Sequence, residues 1–151
     1  MMKCHIYADG GLIGWAKFVH FDPGMGVSTG PFVPNEDYAK FQPIFRDTTL
    51  RYGSVGEARS EAGIESWRKA QAFNLTARTV AGETLEPQGG ITIFDYSEEL
   101  EDDAMEVHLL GLPRETSEKY FQEAIGAYYQ YGGNRMNHSE KSEARSKTGG
   151  H

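Results

Sequence analysis

The stretch from Leu12 to Pro34, LIGWAKFVHFDPGMGVSTGPFVP, constrains the fold more than any other part of the chain. Leu12 to Phe21 is a run of apolar and aromatic residues interrupted only by Gly14, Lys17 and His20. Side chains of that bulk suit a pleated surface, and their density predicts a strand buried on much of both faces. Asp22-Pro23-Gly24-Met25 reads as a turn: Pro23 pre-sets φ at the first central position, and Gly24 can take the positive φ that a type II turn needs at the second. Met25 to Phe32 then returns as an edge strand or an ordered loop, because Gly26, Gly30 and Pro31 deprive it of side chains and of one backbone donor. A packed strand that feeds a glycine-rich rim is also a place where a pocket forms, with Trp15, Phe18 and Phe32 as its lining.

On either side the local signals are simpler. Lys3 to Ala8 alternates, with Cys4, Ile6 and Ala8 on one face and His5 and Tyr7 on the other, and Asp9-Gly10-Gly11 is the turn chemistry of a hairpin. After Pro34, Asn35 is a good helix N-cap, followed by Glu36 and Asp37 in a favourable first turn. Pro43 biases Gln42 away from helix, so one or two turns should end near residues 40–42. Residues 44–52 are ambiguous. Residues 53–72 carry Ala58, Ala62, Ile64, Trp67 and Ala70 near helical spacing, weakened by Gly56 and Gly63.

From Phe73 the period changes to two through Leu75 and Ala77, and Ala81-Gly82-Glu83 turns the chain. Residues 84–90 read as a loop. Ile91 to Tyr96 and Ala104 to Leu110 are strands joined by the acidic connection SEELEDD, most simply an antiparallel hairpin with a long loop. Residues 116–131 form the best helix, with Tyr120, Phe121, Ala124, Ile125 and Tyr128 as an apolar stripe to cover the sheet. Residues 132–151 are almost devoid of apolar side chains and read as a flexible, disordered polar tail. The expected architecture is α+β: one domain over residues 1–131, a mostly antiparallel sheet of about five to six short strands, and two or three covering helices.

A chain of 151 residues can bury a core without disulfide or metal staples, and its one cysteine, Cys4, cannot make an internal disulfide. No stretch approaches the length of a transmembrane helix and the N-terminus lacks a signal-peptide apolar region, so a cytoplasmic protein without membrane contact is expected. The formal net charge of −7 is unevenly spread, since residues 79–131 carry twelve acidic side chains against two basic ones. Such a balance repels phosphate backbones and argues against a nucleic-acid partner.

Chemistry-bearing groups are few. His20 and Asp22 share a strand face, as do Glu106 and His108, and a carboxylate beside an imidazole can orient a general base. The plainer role for Asp22 is to cap its turn through the side chain. Cys4 and His5 point to opposite faces, no specific zinc spacing is present, and neither metal nor other cofactor is expected. The glycine pairs are not phosphate loops, no serine sits in a nucleophile elbow, and the acidic run lacks EF-hand spacing. The leading expectation is therefore a non-catalytic factor of neutralising, immunity-like or regulatory type. It would present Glu98, Glu99, Glu101, Asp102 and Asp103 to a basic protein partner. The alternatives are a small hydrolytic enzyme built on His20 and Asp22, with Glu106 and His108 as weaker candidates, or a small-molecule pocket. The oligomeric state is not legible.

Overall fold

A computed structural model describes residues 2–53, 59–101 and 104–132. Its first hairpin follows from one dipeptide. β1 (Met2–Ala8) pairs antiparallel with β2 (Gly11–Phe18), and Asp9 and Gly10 both take positive φ, 50° and 81°. Two left-handed central residues make a turn whose twist matches that of the strands. Cys4, Ile6 and Ala8 are buried, while His5 and Tyr7 lie half-exposed on the other face.

The second hairpin holds the Leu12–Pro34 stretch. β3 (His20–Asp22) continues β2, and both pair with β4 (Val27–Pro34). Between Ala16↔Phe32 and His20↔Thr29 the chain advances four residues on one side and three on the other, which is a β-bulge. Gly30 lies against it: a Cβ there would collide with the Lys17 carbonyl and with the Phe18 Cα. Pro31 falls at the same break, one of the few interior sites of a sheet where a missing N–H is tolerated.

Three expectations change here. β4 is not an edge strand or loop but a central strand, paired on its other side with β8 (Met105–Leu110). The bulge reconciles glycine and proline with that position. The connecting loop spans Pro23 to Gly26, and its positive φ falls at Gly26 (68°) rather than Gly24, with the Gly26 N–H donating to the Asp22 carbonyl at 2.8 Å. Finally, the opening strand alternates instead of being buried on both faces: Ala16 and Phe18 are fully buried, Lys17 exposed and Trp15 half-exposed.

The remaining strands are β5 (Thr76–Thr79), β6 (Thr84–Leu85) and β7 (Gly90–Asp95). β7 and β8 form the predicted antiparallel hairpin, and the curled sheet runs β6-β5-β1-β2-β4-β8-β7 with β3 beside β4. Every pairing among the described residues is antiparallel. Seven strands on one path, with β3 as a further segment, exceed the five to six expected because residues 84–85 and 20–22 pair briefly.

Among the described residues four α-helices complete the domain: α1 (Gln42–Gly53), α2 (Glu61–Gln71), α3 (Arg114–Tyr120) and α4 (Gln122–Ala127). Asn35 caps a 3₁₀ turn over Glu36–Lys40, its side chain accepting from the Asp37 N–H. Pro43 then opens α1 instead of ending a helix, since a first-turn N–H has no intrahelical partner to lose. The single helix expected over residues 116–131 is broken at Phe121 (φ −129°, ψ 34°), whose buried ring stacks on Phe21 at 4.8 Å between centroids. A wider turn, Tyr128–Gly132, follows α4. The tail beyond it, residues 133–151, lies outside the described residues, as do residues 54–58 of the second helical reading. Among the described residues no helix is long and apolar enough to cross a membrane.

Candidate functional site

The acidic connection between β7 and β8 starts from a buried carboxylate. Asp95 sits on the core face of β7 with Ile91 and Ile93, and is 0% exposed. A charge in such a place must be met by hydrogen bonds. Its Oδ2 accepts from the Tyr38 hydroxyl at 2.7 Å and from Gln42 Nε2 at 3.1 Å, and its Oδ1 accepts from the Ser97 N–H at 2.9 Å. Burial alone would raise the Asp95 pKa, but these donors outweigh it and hold the carboxyl below the usual range. Burial, followed by the bond to Asp95, pushes the Tyr38 hydroxyl far above its ordinary value.

Arg46 on α1 carries this anchor out to the surface. Its guanidinium donates to the Asp95 carbonyl at 3.3 Å, to both oxygens of Glu99 at 2.6 and 3.1 Å, and to Glu98 at 2.8 Å. The Glu99 hydrogen bond comes first among the causes that strengthen the guanidinium's hold on its proton, and the same bond lowers the Glu99 pKa. Glu98 is 75% exposed and Glu101 is exposed. Asp102 and Asp103, also expected to face a partner, lie outside the described residues.

The four acid–base candidates share one sheet face without converging. His20 is cross-strand partner of Thr29, and Thr29 of His108, so two strand spacings, roughly 10 Å, separate the imidazoles. His20 is exposed. Asp22 serves its turn, with Oδ1 accepting from the Gly24 N–H at 2.9 Å and the Met25 N–H at 3.4 Å. Glu106 and His108 approach each other at 3.4 Å, and the Phe94 ring packs edge-on against His108 at 4.6 Å. Burial depresses the His108 pKa against the pull of Glu106, which favours the neutral ring.

Nor do the three proposed lining residues meet. Phe18 and Phe32 point into the core and are 0% and 4% exposed, whereas Trp15 projects from the opposite face. A cavity of about 370 Å³ does lie beside the expected turn, but between it and the last helices. Phe21, Pro23, Leu112, Ile125 and Tyr129 give it an apolar wall. Arg114 and Glu118, bonded to each other at 2.9 Å, stand at its rim. The proximity of Phe21 to the turn was readable from the sequence; the pairing of that turn with α3 and α4 was not. Among the described residues no group of three or more His, Cys, Asp or Glu side chains is placed to hold a metal ion.

Sequence reasoning also missed Tyr38, Gln42, Arg46 and Asp95 as one unit. Polar residues at helical spacing on α1 were the available signal, but that segment carries no strong apolar period. No family model, curated protein or solved structure matches the chain.

Proposed function

We propose that this chain is a non-catalytic binding factor that docks a basic protein partner on the connection between β7 and β8. One observation carries the reading: Arg46 grips Glu98 and Glu99 while Asp95 anchors the base, so the acidic connection leaves a fixed platform. Residues 95–103 contain six acidic side chains, and a single guanidinium leaves the segment strongly negative. Pre-ordering the first two carboxylates lowers the entropy lost on binding, and a concentrated negative field steers a basic surface.

The test is capture of a basic partner across ionic strength, with the double variant Glu98→Gln/Glu101→Gln, which keeps the Arg46–Glu99 pair. Binding should fade between about 0.05 and 0.5 M salt, as screening shortens the field. The variant should bind about tenfold more weakly. Capture indifferent to both salt and substitution would sink the electrostatic reading.

The cavity beside the Pro23–Gly26 turn favours a second reading, a site for a small amphipathic molecule. Its volume falls in the range of ligand pockets, and the apolar wall suits an aromatic or aliphatic carboxylate that displaces Glu118 from the Arg114 guanidinium at the rim. Such ligands at about 1 mM should raise the melting temperature, and Ile125→Trp, which fills the space, should abolish the shift. No shift across a panel of such acids would remove this reading. The hydrolytic alternative has no comparable support, because His20, Asp22, Glu106 and His108 stay apart or are engaged elsewhere.

A further inference from the structure

At the other end of the sheet from the acidic connection, the outer face of β5, β1 and β2 has a different character. Register places Arg78, His5 and Trp15 in one row across three strands, with Val33 of β4 next. A second row sets Lys3 opposite Lys17, and a third sets Tyr7 between Thr76 and Leu12. Lys3, Lys17 and Arg78 are exposed, Tyr7 and Trp15 half-exposed, and Leu12 and Val33 are about 40% exposed. None of these positions is acidic. Across β4 a carboxylate comes at Glu106 on β8, whose register partner is Pro31, and on the other side Glu83 and Glu86 flank the two residues of β6.

One feature of this face is costly to the fold alone. Like charges placed directly opposite on neighbouring strands are destabilising, and Lys3 faces Lys17 with no carboxylate beside them in these rows. In a chain with seven excess negative charges, the same surface also concentrates cations. Each aromatic ring is moreover covered by a cation: the Lys3 ammonium stands 4.3 Å from the Trp15 ring centre, and the Arg78 guanidinium 5.4 Å from that of Tyr7. Flat rings bordered by cations on an open sheet are the components that single-stranded nucleic acids use, bases stacking on the rings while phosphates meet the cations.

We infer that this face binds single-stranded nucleic acid, with Trp15 and Tyr7 as stacking platforms and Lys3, Lys17 and Arg78 as phosphate contacts. The net charge that argued against such a partner describes the whole molecule, whereas binding is decided by the local field at the face. A base arriving on Trp15 displaces the Lys3 ammonium towards the adjacent phosphate. An acidic peptide would satisfy the cations equally but gains nothing from stacking on two rings. The inference is independent of the acidic connection, which lies on the far strands of the sheet.

Fluorescence anisotropy of a labelled oligo-uridine of about eight nucleotides tests it with the full chain. Micromolar to sub-millimolar binding is expected at about 50 mM salt, with a slope of log K on log salt near about −2 for three phosphate contacts. Trp15→Ala should weaken binding about tenfold. Lys3→Gln/Lys17→Gln, which leaves both rings and keeps the side chains polar, should flatten the slope towards about −0.7 and guards against misfolding of the tryptophan variant. No binding at about 1 mM protein would overturn the inference. So would equal affinity for a glutamate peptide of the same charge, equal affinity for a duplex, or a Trp15→Ala variant that folds and binds unchanged.

Discussion

At the scale of single residues, Asp95 decides most. Its carboxylate is fully buried, and the groups that satisfy it come from Tyr38, Gln42 and Ser97. Asp95→Asn turns one acceptor oxygen into a donor that faces those donors and removes the charge beside Arg46. Breaking a buried charged cluster from one side costs about 3 kcal/mol, readable as a fall in the urea midpoint at constant slope. The pH dependence has a definite sign. The folded pKa lies below the unfolded one, so in acid the unfolded chain binds the extra proton, and stability rises with pH. The contribution is complete above the unfolded carboxylate value of about 4 and is lost as pH falls through the lower folded value. Unfolding midpoints from about pH 6 down to about 2 should therefore decline more steeply in the parent than in Asp95→Asn; parallel curves would contradict the assignment. None of this was legible in the sequence, because Tyr38 and Gln42 stand 57 and 53 residues from Asp95 and nothing local couples them. Asp22 is the contrast: its bonds reach only two and three residues, and its capping role was readable in advance.

Among elements, the same division between local and distant causes separates what was predictable. The hairpins β1–β2 and β7–β8 were legible because alternation, and in the first also the turn chemistry, lies within each segment. The place of β4 was not, since its glycine and proline make sense only beside the bulge that joins β2 to β3. Two substitutions separate close approach from backbone conformation. Gly30→Ala meets the Lys17 carbonyl and Phe18 Cα, backbone atoms that cannot rotate away, and should cost more than about 3 kcal/mol or prevent folding. Gly26→Ala meets nothing closer than 3.7 Å and suffers only its positive φ of 68°, so it should cost about 1 kcal/mol. Thermal unfolding of the two variants ranks them directly, and equal losses would remove the bulge from the explanation. The break between α3 and α4 belongs here too: a periodic stripe predicted one helix, but stacking of Phe121 on Phe21 set the backbone at that residue.

For the whole molecule, the question is how an open, curled sheet avoids pairing with a second copy through its end strands. Unpaired strand edges are templates for association, and the path ends at β6 and β7. β6 is two residues long and offers little to pair with. β7 is six residues long, and its edge is met by helix side chains in place of another strand. The Asp95 N–H donates to Thr49 Oγ1 at 2.9 Å, its carbonyl accepts from Arg46, and the Ile91 carbonyl accepts from Gln71 Nε2 at 3.4 Å. Thr49 in turn donates to the Phe45 carbonyl at 2.6 Å, which orients its oxygen towards the strand. α1 and α2 thus act as a cap on the sheet as well as a cover for its core. Thr49→Val alone leaves a buried N–H without an acceptor, a loss of about 1–3 kcal/mol in unfolding free energy. Combined with Gln71→Met, it should expose the β7 edge before the core melts. Amide exchange at Asp95 should then accelerate at least about tenfold, as about 1.4 kcal/mol of local opening free energy is removed. Light scattering should at the same time show association that grows with concentration. Exchange that stays slow in a monomeric double variant would mean that packing against α1, not the side-chain bonds, closes the edge.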